Sequence, residues 1–349
     1  MTRKILLVGW GFPPDIDGGL DVHVHRLFKN LREEKDVRVS LALPESRAPE
    51  IDGVIPVETG EGDMKWKARK ISGEVAEIAM DYDIVHTHDW FGAEAGFKAR
   101  KYSDTKWIST IHSLSSGRNR ESGEGEVGKL EEVAVEKPDK LLSVSEKLAE
   151  KVSEEHGRKP EVIRNGFSTP ETTGTNVKEE LGIVGDMVFF VGRHAEQKGV
   201  EHLLYGFKKF LGDGREAELV IGGDGHMTPS LQDFAGLLGI EEKVHFTGFI
   251  PDRELGDYYR ASDLFVSPSV SEPFGLTITE ALQSGTPVAA TRNGVEEISS
   301  GENIVSIEPD SESIREGIKE GLNLEFNEVE NPRTWQDMTE ELLEAYRSL

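Results

Sequence analysis

The chain has 349 residues, of which 36% are hydrophobic, and it contains no cysteine. This length predicts about two domains, and the hydrophobic fraction excludes a wholly disordered chain. The missing cysteine excludes a disulfide framework, a Cys-based zinc site and a thiol nucleophile.

Acidic residues outnumber basic residues by 65 to 40, which gives a formal net charge of −25 at pH 7. Such a surface repels phosphate backbones and anionic lipid, so nonspecific binding to nucleic acid or membrane is disfavoured. The charge serves solubility in the simplest interpretation. The alternative is a halophilic host, whose salt-rich cytoplasm would screen the self-repulsion.

The start of the chain predicts a core strand rather than a targeting segment. A basic start precedes the apolar run 5–8, which is too short for a signal peptide and ends at the Gly- and Pro-rich run 9–14. Elsewhere no apolar run approaches the roughly 18 residues of a membrane span. We therefore expect a cytoplasmic protein without an integral membrane segment.

Short apolar runs then alternate with amphipathic stretches, which is typical of an α/β fold with parallel sheets. In the first half, the predicted strands are 4–8, 37–42, 84–86, 107–111 and 141–144. The predicted helices of this half are 22–31, 65–80, 126–137 and 146–156.

A polar, turn-rich stretch at 165–176 predicts a linker, after which the alternation restarts. The predicted strands beyond it are 187–191, 219–222, 244–246, 264–266 and 287–290. The predicted helices are 200–211, 229–238, 276–284 and the closing amphipathic stretch 334–349. The sequence thus predicts two α/β units of similar size.

The strongest motif follows the predicted strand 264–266, where the sequence reads Ser-Glu-Pro-Phe-Gly-Leu before a helix. Open α/β sheets bind ligands beyond the carboxyl ends of their strands. Here Gly275 allows close approach of the backbone, and the free N–H groups of Phe274, Gly275 and Leu276 suit a diphosphate. This turn is therefore a candidate anion site.

Two carboxylates flank this turn, Glu272 before it and Glu280 inside the helix. Ionised carboxylates accept hydrogen bonds from hydroxyls, so one could face a sugar ring and the other a ribose. The alternative is structural: Glu280 forms a capping box with Thr277, and Glu272 interacts favourably with the helix dipole.

The Glu-Pro-Phe-Gly-Leu run with Glu280, followed by Gly-Thr-Pro-Val at 285–288, resembles the nucleotide-sugar signature of retaining glycosyltransferases with the GT-B fold. It is most similar to the group of glycogen and starch synthases and family 4 transferases, over most of the chain. The resemblance implies that Glu272 contacts donor-sugar hydroxyls and Glu280 contacts the ribose.

The same resemblance implies two facing Rossmann-like domains with a cleft between them. Residues 1–165 would form an acceptor-binding domain and residues 166–333 a nucleotide-sugar-binding domain. The helix at 334–349 would pack back onto the first domain.

A cationic pair, Arg193 and Lys198, follows the predicted strand 187–191. Fixed cations stabilise the charge that develops on a diphosphate leaving group. The alternative is a solvated basic loop, and the spacing does not fit a Walker A motif. The loop resembles the family's Gly-Arg-x…Lys-Gly signature, which implies that both side chains contact the donor phosphates.

Three weaker elements complete the donor half by resemblance. Gly223 lies in a glycine-rich turn, Phe249 lies in the stretch 246–250 that resembles the one whose backbone meets the nucleobase, and Asn165 lies at the domain junction. Each is weak alone, because turns after strands need glycine in any case.

The pair Gly18-Gly19 precedes a predicted helix, where a phosphate or sugar could approach the backbone. The family carries a similar loop. Bacterial glycogen synthases have a lysine where this chain has Ile16, which argues against a glycogen acceptor.

The strand end near residue 86 carries His86, His88 and Asp89, which could be misread as metal ligands. We expect no metal there, because no partner histidine follows at helical spacing. An Asp-x-Asp at 81–83 precedes a strand and is interpreted as a turn. The His-x-His-Asp-Trp run at 86–90 resembles that of the polyglucan synthases, in which the Asp lies near the reacting sugar. The Thr-x-His segment at 110–112 resembles a family segment, which implies that His112 lies near the donor sugar.

The resemblance implies transfer of a hexose, with glucose favoured, from a nucleotide-diphosphate sugar to an acceptor hydroxyl with retention. It implies no cofactor and no metal, since cationic side chains stabilise the leaving group. Two alternatives are an epimerase of nucleotide sugars on the same fold and a non-catalytic nucleotide-sugar-binding protein. No residue decides between ADP, UDP and GDP, or fixes the oligomeric state.

Overall fold

The structure, a computed structural model, describes residues 2–118, 125–292, 294–297 and 301–349. The chain divides into two compact units, one of Met1–Gly166 with Arg333–Leu349 and one of Phe167–Pro332. These divisions lie within one residue of the boundaries expected from the sequence.

The first unit contains a parallel sheet with the strand order β3-β2-β1-β4-β5-β6-β7. Its strands are β1 (Arg3–Val8), β2 (Val37–Pro44), β3 (Val54–Val57), β4 (Ile84–His88), β5 (Lys106–Ile111), β6 (Lys140–Ser143) and β7 (Glu161–Val162). At the centre, Ile5 of β1 lies opposite Val39 of β2 and Ile84 of β4. The central strands are buried, as their continuous apolar runs predict.

The helices of this unit before the second unit begins are α1 (Gly19–Leu31), α2 (Met64–Ile78), α3 (Ala93–Tyr102), α4 (Ser115–Arg118), α5 (Glu126–Glu136) and α6 (Glu146–His156). The buried residues of α2 and α3 belong to one apolar cluster with Leu6, Val8 and Val85 of the sheet. These two helices therefore cover the same face of the sheet.

The second unit repeats this plan with the strand order β10-β9-β8-β11-β12-β13. Its strands are β8 (Asp186–Val191), β9 (Ala217–Gly222), β10 (Val244–Gly248), β11 (Leu264–Ser267), β12 (Val288–Thr291) and β13 (Ile304–Ile307). Its helices are α7 (Val177–Leu181), α8 (Val200–Gly212), α9 (Thr228–Leu238), α10 (Asp252–Ala261), α11 (Leu276–Gln283) and α12 (Ser311–Gly321).

The last helix, α13 (Trp335–Arg347), belongs to the first unit. A capping box between Thr334 and Asp337 starts it. It packs beside α1, where the Asn30 amide donates to Thr339 Oγ1 at 3.1 Å, and the Arg3 guanidinium donates to the carbonyl of Tyr346. The amphipathic stretch predicted at 334–349 is therefore a helix that completes the N-terminal unit.

Every strand predicted from an apolar run is present, but three strands and five helices were not predicted. The missed strands β3, β7 and β13 have two to four residues, too short for a clear pattern. The missed helix α3 buries mainly alanine and Gly96, and a Cβ on this glycine would lie 2.1 Å from Trp107 Nε1. Small residues allow close helix packing but give little amphipathic signal.

Within the described ranges, no helix is both long and apolar enough to cross a membrane.

Candidate functional site

In the second unit, the predicted donor residues lie at the carboxyl ends of two adjacent central strands. The chain leaves β8 toward β9 on one side, and β11 pairs with β8 on the other, so the strand order reverses between them. Ligands of open α/β sheets bind at such a switch point. Arg193 and Lys198 follow β8, and Glu272 follows β11.

The structure brings Lys198 and Glu272 into direct contact. Lys198 Nζ donates to Glu272 Oε2 at 2.8 Å, and the hydroxyl of Ser269 also donates to Oε2, at 3.4 Å. The side chains are 24% and 12% exposed, so the pair is largely removed from solvent while Lys198 stays reachable. Arg193, in the same loop, is exposed. A cation and a carboxylate are therefore in contact at the topological switch point between β8 and β11.

The loop after β8 is held close to β11 by a glycine. Gly199 has φ 64°, and a Cβ there would lie 2.3 Å from the carbonyl oxygen of Pro268. Only glycine combines this left-handed backbone with so close an approach. Gly199 thus fixes the distance between the loops that carry Lys198 and Glu272.

The turn into α11 adopts the conformation that the motif predicts. Gly275 has φ 103° and is the N-cap residue, without a side-chain cap, and Leu276 starts the helix. The ring of Phe274 is 4% exposed, and its carbonyl accepts from the Val295 N–H at 3.1 Å. Phe274 therefore anchors the turn in the core, and what it can offer a ligand is its backbone.

Glu280 does not form the capping box considered as the structural alternative, because α11 has no side-chain cap. Its Oε2 accepts from the hydroxyl of Tyr259 on α10 at 2.9 Å. Tyr259 is fully buried, and this burial raises the pKa of its phenol well above the ordinary value, so it acts as a donor. Tyr259 thus orients Glu280, and no sequence pattern indicated this role for Tyr259.

The two remaining donor candidates follow β9 and β10. Gly223 has φ 99°, and a Cβ there would lie 2.0 Å from the carbonyl oxygen of Gly192, so it lets the loops after β8 and β9 touch. Phe249 is 71% exposed directly after β10. An exposed ring beside this edge is available for stacking on a planar group.

In the first unit, the switch point lies between β1 and β4. Gly18 is the N-cap residue of α1, and open space lies where its Cβ would be. The carboxylate of Asp21 in the first turn accepts from the N–H groups of Gly11 at 2.9 Å and Asp17 at 2.7 Å. Asp21 therefore shapes the loop that leads to the pair Gly18-Gly19.

Asp89 directly follows β4 and is strained, since it is a non-glycine residue with φ 52°. Its Oδ1 accepts from the N–H groups of His112 at 2.7 Å and Ser113 at 3.2 Å, and the Ser113 hydroxyl donates to Oδ2 at 3.2 Å. The carboxylate thus ties the end of β4 to the segment that carries His112. This makes Asp89 a positioning residue for His112.

His112 lies in a cluster of buried imidazoles. Its Nε2 is 3.1 Å from Nδ1 of His88, and its ring centroid is 4.6 Å from that of His23 on α1. His23 Nδ1 donates to Oδ1 of Asn165 at 2.7 Å. The cluster therefore joins three predicted residues, Asp89, His112 and Asn165, through His23, which sequence reasoning missed because it lies on the buried side of a helix.

His86, in contrast, is engaged at both ring nitrogens. Nδ1 lies 2.7 Å from the hydroxyl of Tyr346 on α13, and Nε2 lies 2.7 Å from Oγ1 of Thr110. Burial lowers the pKa of His86 to about 3, so the imidazole is neutral and one nitrogen donates while the other accepts. His86 is thus a structural link between the sheet and the last helix.

The described residues contain one histidine group close enough to bind a metal, formed by His23, His88 and His112, whose ligand atoms lie within 4.8 Å of one another. His88 and His112 are hydrogen-bonded to each other, whereas Nε2 of His23 and Nε2 of His88 are buried without a hydrogen bond to the described residues. Burial lowers the pKa of His23 to about 3 and that of His88 well below its ordinary value. His86 and Asp89, which could be misread as metal ligands together with His88, are hydrogen-bonded to Tyr346 and to the His112 N–H.

Comparison with known proteins agrees with this arrangement. The family described as Glycosyltransferase Family 4 matches residues 17–170, and Glycosyl transferases group 1 matches residues 177–339. An uncharacterised glycosyltransferase of Methanocaldococcus jannaschii is 31% identical over 318 residues, which cover 83% of this chain and 81% of the relative. Glycogen synthase of Mycobacterium tuberculosis is 26% identical over 83% of this chain and 78% of its own length.

Among solved structures, HepE of Anabaena in complex with UDP and glucose superposes with a TM-score of 0.77 at 19% identity, covering 99% of this chain and 100% of that one. The two Rossmann-like units therefore have the GT-B fold. The chain belongs to the family 4 (group 1) glycosyltransferases, as the motifs predicted.

The buried histidines make a pH-dependent prediction. His86 binds a proton with a pKa of about 3 when folded and near 6.5 when unfolded, so its contribution to stability is complete above pH 6.5 and is lost as the pH falls toward 3. When the pH falls from about 7 to about 5, we expect the unfolding free energy of the wild type to drop by about 2 kcal/mol more than that of His86→Gln. Urea unfolding at both pH values measures this difference.

The matched control is His202→Gln, since His202 is exposed on α8. This variant should lose as much stability as the wild type. Equal losses in the wild type and in His86→Gln would contradict the buried, neutral state of His86.

Proposed function

We propose that this protein transfers a hexose, with glucose favoured, from a nucleotide-diphosphate sugar to an acceptor hydroxyl, with retention at the anomeric carbon. The observation that carries the proposal is the Lys198–Glu272 pair at the switch point of the second unit, beside the N-terminus of α11. It combines a cation for a diphosphate with a carboxylate for sugar hydroxyls.

The diphosphate would be held by Arg193, Lys198 and the first N–H groups of α11. A helix N-terminus favours anions, and the α11 turn is fixed by Gly275 and the buried ring of Phe274. As the glycosidic bond breaks, negative charge grows on the leaving phosphate, and these groups stabilise the transition state more than the ground state. In this proposal the side chains do the work of a metal ion, so transfer needs neither a metal nor another cofactor.

The Lys198–Glu272 contact gives the pair two roles. With the diphosphate bound, Lys198 exchanges part of its contact with Glu272 for a phosphate oxygen, and the second carboxylate oxygen remains for a sugar hydroxyl. Glu280, oriented by Tyr259, would accept from the ribose hydroxyls, and Phe249 would stack near the base. This arrangement offers no separate nucleophile, so we propose same-face transfer in which the leaving phosphate helps to take the acceptor's proton.

On the first unit, His112 would contact the donor sugar and the pair Gly18-Gly19 would admit the acceptor or a phosphate. Asp89 acts by holding the His112 segment through three hydrogen bonds. A fixed donor or acceptor at this point avoids the reorganisation that water would require.

The sugar and the acceptor are proposed from similarity. Glycogen synthase among the relatives and HepE with UDP and glucose among the structures favour glucose as the sugar. Ile16, where bacterial glycogen synthases have a lysine, favours an acceptor other than glycogen.

The test is nucleotide release from ADP-, UDP- and GDP-sugars, with and without maltooligosaccharide. We expect release with at least one donor, unchanged by a chelator, and an α-linked product by NMR. A reaction that stops in chelator and returns with magnesium would contradict the metal-independent mechanism. An epimerised sugar nucleotide would assign the epimerase alternative, and binding without any turnover would assign a binding protein.

Lys198→Ala should reduce the transfer rate by at least the ~10²-fold typical of losing one electrostatic contact in the transition state. Its control is Lys209→Ala, which removes a lysine from another ion pair of the same unit, with Glu312 at 3.0 Å. Steady-state rates with the best donor measure both variants. A Lys198→Ala rate within a few fold of the Lys209→Ala rate would place the diphosphate elsewhere.

Glu272→Gln should lower the transfer rate far more than the affinity for the free nucleotide diphosphate. The amide keeps the size of the side chain but loses the charge that would stabilise a positively charged anomeric centre. The diphosphate would still contact Lys198 and α11. Calorimetry with the nucleotide and rates at saturation separate the two effects, with Glu312→Gln as the control. Lost affinity with a normal saturating rate would show that Glu272 does not face the sugar.

A further inference from the structure

Two neighbouring helices of the first unit carry positive charge on a strongly acidic chain. α2 and α3 together contain seven Lys or Arg against three Glu, whereas the whole chain has a net charge of −25. The basic residues are Lys65, Lys67, Arg69, Lys70, Lys98, Arg100 and Lys101. This concentration of charge is unrelated to the predicted donor and acceptor loops.

The same helices expose large apolar side chains. Trp66 is 46% exposed, Met64 is 42% exposed, Phe97 is 37% exposed and Tyr102 is 66% exposed, and Met80 directly after α2 is 62% exposed. These five are nearly half of the eleven exposed large hydrophobic residues in the described part of the chain. Exposed apolar residues gathered in one region mark an interaction surface.

α2 and α3 lie side by side, since Lys98 Nζ donates to the hydroxyl of Ser72 across them at 3.4 Å. Their inner residues, including Ala68, Ile71 and Ala95, lie in one buried cluster against the sheet. Their outer sides therefore turn to solvent together. We call this surface the α2–α3 face and define it by Trp66, Lys70, Phe97, Lys101 and Tyr102.

Cations and aromatic rings are interleaved on this face. Lys70 Nζ lies 5.0 Å from the ring centre of Trp66, and Lys101 Nζ lies 6.0 Å from that of Phe97 and 5.1 Å from that of Tyr102. Tryptophan and tyrosine prefer the interface between lipid and water, and lysine beside them attracts anionic headgroups. Long basic side chains also keep their charge in water while their stems lie on apolar surface.

We propose that the α2–α3 face docks the protein on a membrane surface rich in anionic lipid. The acidic groups near it are Glu74, Glu77 and Glu94 on the two helices, Asp63 at the N-cap of α2, Glu126, which is paired with Arg69, and Asp139, which accepts from Arg100 Nε at 3.0 Å. Most of the negative charge lies farther away, and at physiological ionic strength charges beyond about 8 Å are largely screened. The local charge therefore decides the contact, and this proposal differs from the expectation that the net charge alone supports.

The test uses the full chain and vesicles of neutral phosphatidylcholine, with or without about 30% phosphatidylglycerol. We expect sedimentation with the anionic vesicles only, and release as salt is raised. The fluorescence of Trp66 reports contact with lipid, because the other four tryptophans are at most 8% exposed. Brominated lipid should therefore quench the emission of the bound protein, and Trp66→Phe should lose that lipid-dependent quenching.

The double variant Lys70→Glu/Lys101→Glu should bind the anionic vesicles at least about tenfold more weakly. The matched control, Lys35→Glu/Lys208→Glu, makes the same charge change at exposed positions outside the face and should bind like the wild type. Nucleotide release with a water-soluble acceptor should be unchanged in both variants, so docking and the proposed transfer are tested separately.

Equal binding to neutral and anionic vesicles would overturn the proposal, and so would a failure to bind either kind. Wild-type binding by Lys70→Glu/Lys101→Glu, or binding that leaves Trp66 unquenched, would also overturn it. Binding of an RNA homopolymer through this face, without vesicle binding, would assign the face to a polyanion and also overturn it.

Discussion

Burial of parallel strands on both faces is the constraint on which the rest of the structure depends. The side chains of 5–8 in β1 and 187–190 in β8 are at most 2% exposed, so the sheet interiors have no room for a charged group without a partner. Function is therefore confined to the strand ends. Each unit offers one switch point, and the candidate site residues, such as Asp89 in one and Lys198 in the other, gather there.

Polar groups at these ends have left water and need partners, which explains how the site is organised. Asp89 accepts from the segment of His112, His23 is bonded to Asn165, and Lys198 is bonded to Glu272. Each bond offsets the cost of desolvation and also fixes a side chain before any ligand arrives. The same bonds that stabilise the fold therefore give the site its preorganised geometry.

The net charge of the chain is an average that conceals its distribution. A value of −25 predicts repulsion from anionic surfaces, but electrostatic interactions at a surface are local once salt screens them. The α2–α3 face combines lysines with exposed aromatic rings, whereas the apolar sides of the same helices complete the core. One helix can thus pack in the core with one side and contact a partner with the other.

The sequence by itself determined the α/β class, the long strands, the two units and the family, because apolar periodicity and the motif after β11 are local patterns. It also identified the residues at the strand ends, since a loop after a strand can be located along the chain. Only the tertiary structure decided that Lys198 bonds to Glu272, that Asp89 holds the His112 segment, and that His23, Tyr259 and Tyr346 orient their neighbours. These contacts join residues 20 or more positions apart, and their partners are set by how helices and strands pack, which no local pattern records.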